Sequence, residues 1–66
     1  MQIELNGDQM QVTDGLMLSG LVKQLGLAEK RIAVELNLEI IPRSQHVTTA
    51  LHDGDKVEIV HAIGGG

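Results

Sequence analysis

Apolar and polar side chains alternate through Met1-Gln2-Ile3-Glu4-Leu5-Asn6, the two-residue period of a strand with one buried face. Asn6-Gly7-Asp8 interrupts it with residues suited to a tight corner, and alternation resumes at Met10 and Val12, which predicts a hairpin. Thr13-Asp14-Gly15 breaks the ladder, and the period then changes. Leu18, Leu21, Val22 and Leu25 fall at i, i+3, i+4 and i+7, one stripe of a helix. Thr13 and Asp14 are the candidates to cap its start, with Ser19 for a shorter version. Gly26 follows the stripe where a helix commonly ends in a left-handed residue. Gly20 inside the helix costs about 1 kcal/mol relative to alanine, so this short helix depends on tertiary packing.

Beyond a charged connection over Leu27–Arg31, the sequence Ile32-Ala33-Val34-Glu35-Leu36 alternates again. Asn37-Leu38 predicts a turn into a shorter strand, Glu39-Ile40-Ile41, which Pro42 ends or confines to a sheet edge. Residues 43–52 carry no clear period and are expected to cross irregularly, burying Val47 and Leu51. Asp53-Gly54-Asp55 is a turn, and Lys56–Ala62 reads as the last strand with Val57 and Ile59 inward. The order β-β-α-β-β-β belongs to the α+β class: a mixed sheet with one helix packed across one face. The first and last strands are expected to pair at its centre. Residues 1–62 form the domain, and residues 63–66 a flexible glycine-rich tail.

Composition narrows the function. The chain has 66 residues, so one domain with a small core is all it can build. Five Lys and Arg against nine Asp and Glu leave a formal net charge of −4, the wrong sign for nucleic acid or an anionic membrane surface. Aromatic content is 0%, which removes base stacking as well. No apolar run is long enough to span a bilayer, and no signal peptide is evident, so a cytoplasmic location is expected. With no cysteine there is no thiol nucleophile and no cysteine-based metal centre. His46, His52 and His61 are too irregularly spaced for a metal site and read as surface residues. A paired-carboxylate hydrolase has no cleft to use. The chain reads as a non-enzyme with no bound cofactor.

The chemistry points to the last residues. Glycine runs at a chain end are ordinarily disorder or a cloning scar. Here Gly64-Gly65-Gly66 follows a strand with no polar spacer, so its root is held. Glycine lacks a Cβ and can thread a channel too narrow for other residues. From Ile63 onward the four residues span on the order of 13 Å when extended, enough to carry the Gly66 carboxylate into a partner's active site. A carboxylate is a poor acyl donor until activated, typically as an acyl-adenylate, after which sulfur, oxygen or nitrogen can capture it. Any sulfur must come from another protein.

The Leu36-Asn37 corner, Ile41-Pro42-Arg43, Asp53-Gly54-Asp55 before Val57-Glu58-Ile59, and the closing Gly-Gly together resemble the ThiS family, sulfur carriers of thiazole biosynthesis. The resemblance spans essentially the whole chain and implies a β-grasp, ubiquitin-like fold. It implies that a ThiF-type adenylyltransferase uses ATP to adenylate Gly66. A persulfide on a sulfur-delivery protein then yields a thiocarboxylate, whose sulfur passes to thiazole synthase (ThiG). Gly64 and Gly65 are the threading residues. Leu38 departs from the family, which often has a small residue there. In a type I′ turn Leu38 must take positive φ at a cost.

By parity Ala33, Ile40, Val60 and Ala62 lie on the sheet face away from the helix. Ile40, Val60, Ala62 and Ile63 are the expected docking positions beside the tail. Glu35, Glu39, Asp53, Asp55 and Glu58 are placed to complement a basic rim. Arg43 and Lys56 are candidate contacts to acidic surfaces. Two alternatives share the fold. One is another sulfur carrier, of the MoaD type for molybdopterin or for cysteine synthesis. The other is a non-covalent TGS-like interaction module, which has no need of Gly65 and Gly66.

Overall fold

The computed structural model describes residues 1–61. Two-residue alternation produces strands β1 (Gln2–Leu5), β2 (Asp8–Gln11), β3 (Ile32–Leu36), β4 (Glu39–Ile41) and β5 (Lys56–His61). Helix α1 covers Leu18–Gln24, and a 3-10 helix covers Arg43–Thr48. The strands form one sheet in the order β2-β1-β5-β3-β4. The first and last strands pair in parallel at its centre, and the other pairs are antiparallel. This is the mixed arrangement expected. Helix residues Leu18, Leu21 and Val22 meet Ile3, Val34, Val57 and Ile59 of the sheet in a single aliphatic core, which Val12 and Leu51 complete.

Both hairpins close through two-residue loops with positive φ at each central position. Asn6 and Gly7 stand at φ 49° and 88°, and Asn37 and Leu38 at 52° and 72°. That is type I′ geometry, whose twist matches the flanking strands and which favours Asn-Gly. Leu38 is 84% exposed, so its side chain gains little from packing there. A leucine held left-handed costs about 1–3 kcal/mol, whereas glycine adds only about 0.4–1 kcal/mol of unfolded-state entropy. Leu38→Gly is therefore expected to stabilise the domain by about 1 kcal/mol, raising the thermal midpoint by about 4–8 °C. A lower midpoint in the variant would show that the exposed side chain contributes packing after all.

The helix start departs from expectation. Its N-cap is Met17, without a side-chain cap, so neither Thr13, Asp14 nor Ser19 fills that role. Backbone from another segment substitutes: the Leu18 amide donates to the Thr49 carbonyl (2.8 Å) and the Leu51 amide to the Leu16 carbonyl (2.9 Å). The other end follows the sequence. Gly26 takes φ 75°, its amide donates to the Lys23 carbonyl and that of Leu27 to the Val22 carbonyl, both at 3.0 Å. These two bonds make a Schellman motif. A Cβ at Gly20 would lie 2.8 Å from Leu16 Cδ1, so a larger residue there would require the end of the Leu16 side chain to shift.

Residues 43–52 are more regular than their sequence suggests, and one expectation is reversed. Leu51 is buried, but Val47 is 64% exposed, and the residue turned inward is His46. The 3-10 helix advances about a third of a turn per residue, so seating His46 inside rotates Val47 out. The imidazole Nε2 donates to the Ile41 carbonyl at 3.0 Å, which pairs the polar group on burial. His46 is thus not a surface histidine.

At the edge, the amino group of Met1 donates to the Val12 carbonyl and to Asp14 Oδ1, each at 2.8 Å. That hydrogen bond, and then its positive charge, hold the Asp14 carboxyl below the usual carboxylate range. Because the folded value is the depressed one, the contribution is present above the unfolded carboxylate range. It is lost as pH falls through the lowered folded value. A carbon-detected NMR titration should place the Asp14 midpoint below that of the free side chain, and the depression should vanish when the Met1 amine is acetylated.

Candidate functional site

Strand β5 is the element that leads to the glycines, and its position is fixed from both sides. The Asp53-Gly54-Asp55 turn feeds it in. Gln2 donates its amide to Asp53 Oδ1 and accepts from the Gly54 amide, both at 2.8 Å, and the Glu4 amide donates to the Asp55 carbonyl at 2.9 Å. Asp55 also accepts the His52 amide at 2.8 Å and Asn37 Nδ2 at 3.1 Å. Two of the five carboxylates expected to face a partner, Asp53 and Asp55, therefore act as internal turn acceptors.

The two turn asparagines extend this bracing, a role that sequence reasoning missed. Asn37 Oδ1 accepts the Lys56 amide at 3.0 Å, and the Asn37 main-chain N–H donates to the Lys56 carbonyl at 2.8 Å. Asn6 Oδ1 accepts the Ile59 amide at 2.8 Å while Nδ2 donates to the Ile59 carbonyl at 3.2 Å. Each asparagine tolerates the positive φ of its turn and spends its side-chain amide on β5 backbone. One clamps the start of the strand and the other its second half. The available signal was an asparagine opening each two-residue hairpin loop.

Of the residues singled out for docking, Ile40 and Val60 lie where parity put them, 71% and 59% exposed. Val60 pairs across to exposed Ala33, and Ile40 pairs with Glu35, all on the sheet face opposite α1. Toward β2 the same face is polar, carrying Gln2, Glu4, Gln9 and Gln11, with Lys56 opposite Glu4. The apolar share of the open face is thus confined to β3, β4 and the C-terminal half of β5. Ala62, Ile63, Gly64, Gly65 and Gly66 lie outside the described residues.

Other candidates lead elsewhere. Arg43 Nη2 donates to the Lys30 carbonyl at 2.8 Å, which ties the 3-10 helix to the connection after α1. His52 is exposed beside Asp55, and His61 lines a depression of about 290 Å³ with Leu5, Leu25, Leu27 and Ile59. The three histidines stand in separate places. Among the described residues no group of three or more His, Cys, Asp or Glu is placed to hold a metal ion. No described helix is long and apolar enough to cross a membrane.

Comparison with known proteins follows the same lines. The chain is similar to the sulfur carrier protein ThiS of Escherichia coli, 33% identical over 66 residues and covering all of both chains. It is 41% identical to a thiazole synthase of Paramagnetospirillum magneticum over its full length, but spans only 20% of that protein. The crystal structure of a thiamine biosynthesis protein, ThiS, from Geobacter metallireducens superposes with a TM-score of 0.88 at 33% identity, covering 100% of both chains. That likeness makes the fold a β-grasp. A sequence model of the ThiS family matches residues 3–66, glycines included, and the chain belongs to the ThiS family.

Proposed function

We propose that this protein is a sulfur carrier for the thiazole of thiamine, and that its working atoms are the carboxylate of Gly66. The observation that carries this reading is the family match running through the terminal glycines, on a chain as long as its E. coli relative. The folded body acts as a handle and performs no catalysis itself. A ThiF-type adenylyltransferase is the activating partner: a Gly66 carboxylate oxygen attacks the α-phosphorus of ATP, and pyrophosphate leaves. The terminal sulfur of a persulfide on a delivery protein then attacks the acyl carbon and expels AMP. A further thiol cleaves the resulting S–S bond, leaving the thiocarboxylate on Gly66. With no cysteine of its own, the chain depends on other proteins for both sulfur and thiol. Thiazole synthase is the acceptor, a reading supported by the similarity of this chain to part of two such enzymes.

Gly64 and Gly65 thread the partner's channel, since only a chain without Cβ atoms passes a close-fitting slot. Ala62 and Ile63 are further docking positions, proposed alongside Ile40 and Val60. The test is pyrophosphate exchange into ATP by the cognate adenylyltransferase, which should require this chain. Val60→Glu should leave the unfolding midpoint within about 0.5 kcal/mol of the parent, because the position is exposed. It should slow activation about tenfold or more, since it places a charge in a contact that excludes water. Unchanged activation would remove this face from the docking surface.

A further inference from the structure

We propose that the depression between α1 and the 3-10 helix is a binding site for a phosphate group, held by Arg43, His46 and Ser19. The depression has a volume of about 170 Å³ and is lined by these three residues with Val22, Ala28 and Val47. His46 is only 5% exposed, yet half of its imidazole is unused. Nε2 donates to the Ile41 carbonyl, while Nδ1 has no hydrogen-bond partner among the described residues. Among those residues no buried side-chain nitrogen or oxygen lacks a partner, so Nδ1 is not sealed in the core and opens into the depression. Arg43 is anchored by one donor, Nη2 to the Lys30 carbonyl at 2.8 Å, and pairs with no described carboxylate. The Ser19 hydroxyl makes no hydrogen bond to a described residue. Three polar groups thus meet with bonding capacity that the fold leaves open. The chain carries −4, yet no Asp or Glu lines the depression.

Because Nε2 carries the proton given to Ile41, neutral Nδ1 presents a lone pair and requires a donor. Arg43 and Ser19 offer donors and require acceptors. A phosphate group meets both demands, since its second proton leaves at about pH 6. Its P–OH donates to Nδ1, or passes that proton across, while the other oxygens accept from the guanidinium and the hydroxyl. Sulfate and an ionised carboxylate only accept. Nucleic acid is a poor occupant, because a phosphodiester lacks the proton and the chain repels a polyanion. Size agrees: a cavity of about 150 Å³ admits benzene, so a phosphate fits whole and leaves Val22, Ala28 and Val47 to meet the carbon stem of an ester. The site lies on the α1 side of the sheet, away from Ile40 and Val60, and the inference stands apart from the carrier reading.

The test follows NMR signals of the full chain as inorganic phosphate, methyl phosphate, sulfate or acetate is added at about pH 7, with sodium chloride holding the ionic strength constant. Inorganic phosphate should shift the signals of Ser19, Ala28, Arg43, His46 and Val47 saturably, with half-saturation on the order of 1–10 mM, as suits so small a ligand. Sulfate and acetate should bind about tenfold more weakly. Tighter binding of methyl phosphate supports the proposal with an ester as occupant; otherwise phosphate binding supports it with the free ion. Arg43→Gln should weaken phosphate binding about tenfold and Ser19→Ala about threefold. Ser19→Ala breaks no side-chain bond within the described protein, so it stays folded and keeps the test decisive. The proposal would be overturned by the absence of saturable shifts at these residues or by parent-like binding in either variant. Sulfate or acetate binding as tightly as phosphate would overturn it as well.

Discussion

Removing Gly65 and Gly66 is expected to abolish adenylation by the cognate enzyme while leaving the fold unchanged. Every buried core residue among those described, from Ile3 to Ile59, precedes the deletion, and both asparagine clamps act on residues no later than Ile59. Unfolding by urea should therefore give the same midpoint and slope as the full chain. Activation is another matter. A shortened chain holds its carboxylate about 7 Å short of the site, and catalysis by positioning falls steeply even with misplacement of about 1 Å. The expected loss is at least about a thousandfold, read as pyrophosphate exchange above background. An interaction module of the TGS type would bind its partner equally well without the two glycines. Retained activity in the truncated chain would favour that alternative.

The second large effect concerns the handle. Leu21 is fully buried beneath the sheet and belongs to the stripe that docks α1. Leu21→Ala should cost about 2–5 kcal/mol, combining lost transfer free energy with the cavity left behind. A domain of 66 residues has roughly 3–10 kcal/mol in total, so the variant should be substantially unfolded in mild urea. With no aromatic residue, the measurement must use far-ultraviolet circular dichroism rather than fluorescence. Val47→Ala is the matched control and should change stability by less than about 0.5 kcal/mol, because Val47 is largely exposed. If the two variants unfolded alike, the assignment of core and surface around the 3-10 helix would be wrong.

That pairing also marks where sequence reading stopped. Strand parity correctly turned Val34, Val57 and Ile59 inward and Ile40 and Val60 outward, and helical spacing correctly buried Leu18, Leu21 and Val22. These are local signals, set by the geometry of one element against one core. Around His46 and Val47 no such signal exists. Six residues of 3-10 helix, about two turns, are too few to show a period, and the rotation of the helix is set by the His46 bond to Ile41. The helix start was misread for the same reason. The capping group is backbone from Thr49, far along the chain, which no local pattern of serine, threonine or aspartate reveals. Leu38 shows the converse: the two-residue loop dictated positive φ, and the backbone adopts it despite an unfavourable side chain.

The docking face was legible because alternation sorts residues by face. The depression beside His46 was not, since it needs α1 and the 3-10 helix side by side. The asparagine clamps likewise depend on which strand lies beside each turn. For the reactive end the position is reversed. Glycine composition and the resemblance to the ThiS family named Gly66 from the sequence, and the residues described in the structure end before it.

The most direct test of the account is the mass of the last residue. The chain is incubated with its adenylyltransferase, ATP, and a persulfide-bearing sulfur donor with a thiol reductant, then fragmented in a mass spectrometer. Replacing one carboxylate oxygen by sulfur adds about 16 Da, as does oxidation of Met1, Met10 or Met17 to its sulfoxide, so localisation decides the outcome. The account predicts the gain on the fragment ending in Gly66, dependent on both ATP and sulfur donor. A Gly66 fragment of unchanged mass, under conditions where the same enzyme modifies an established carrier, would contradict it.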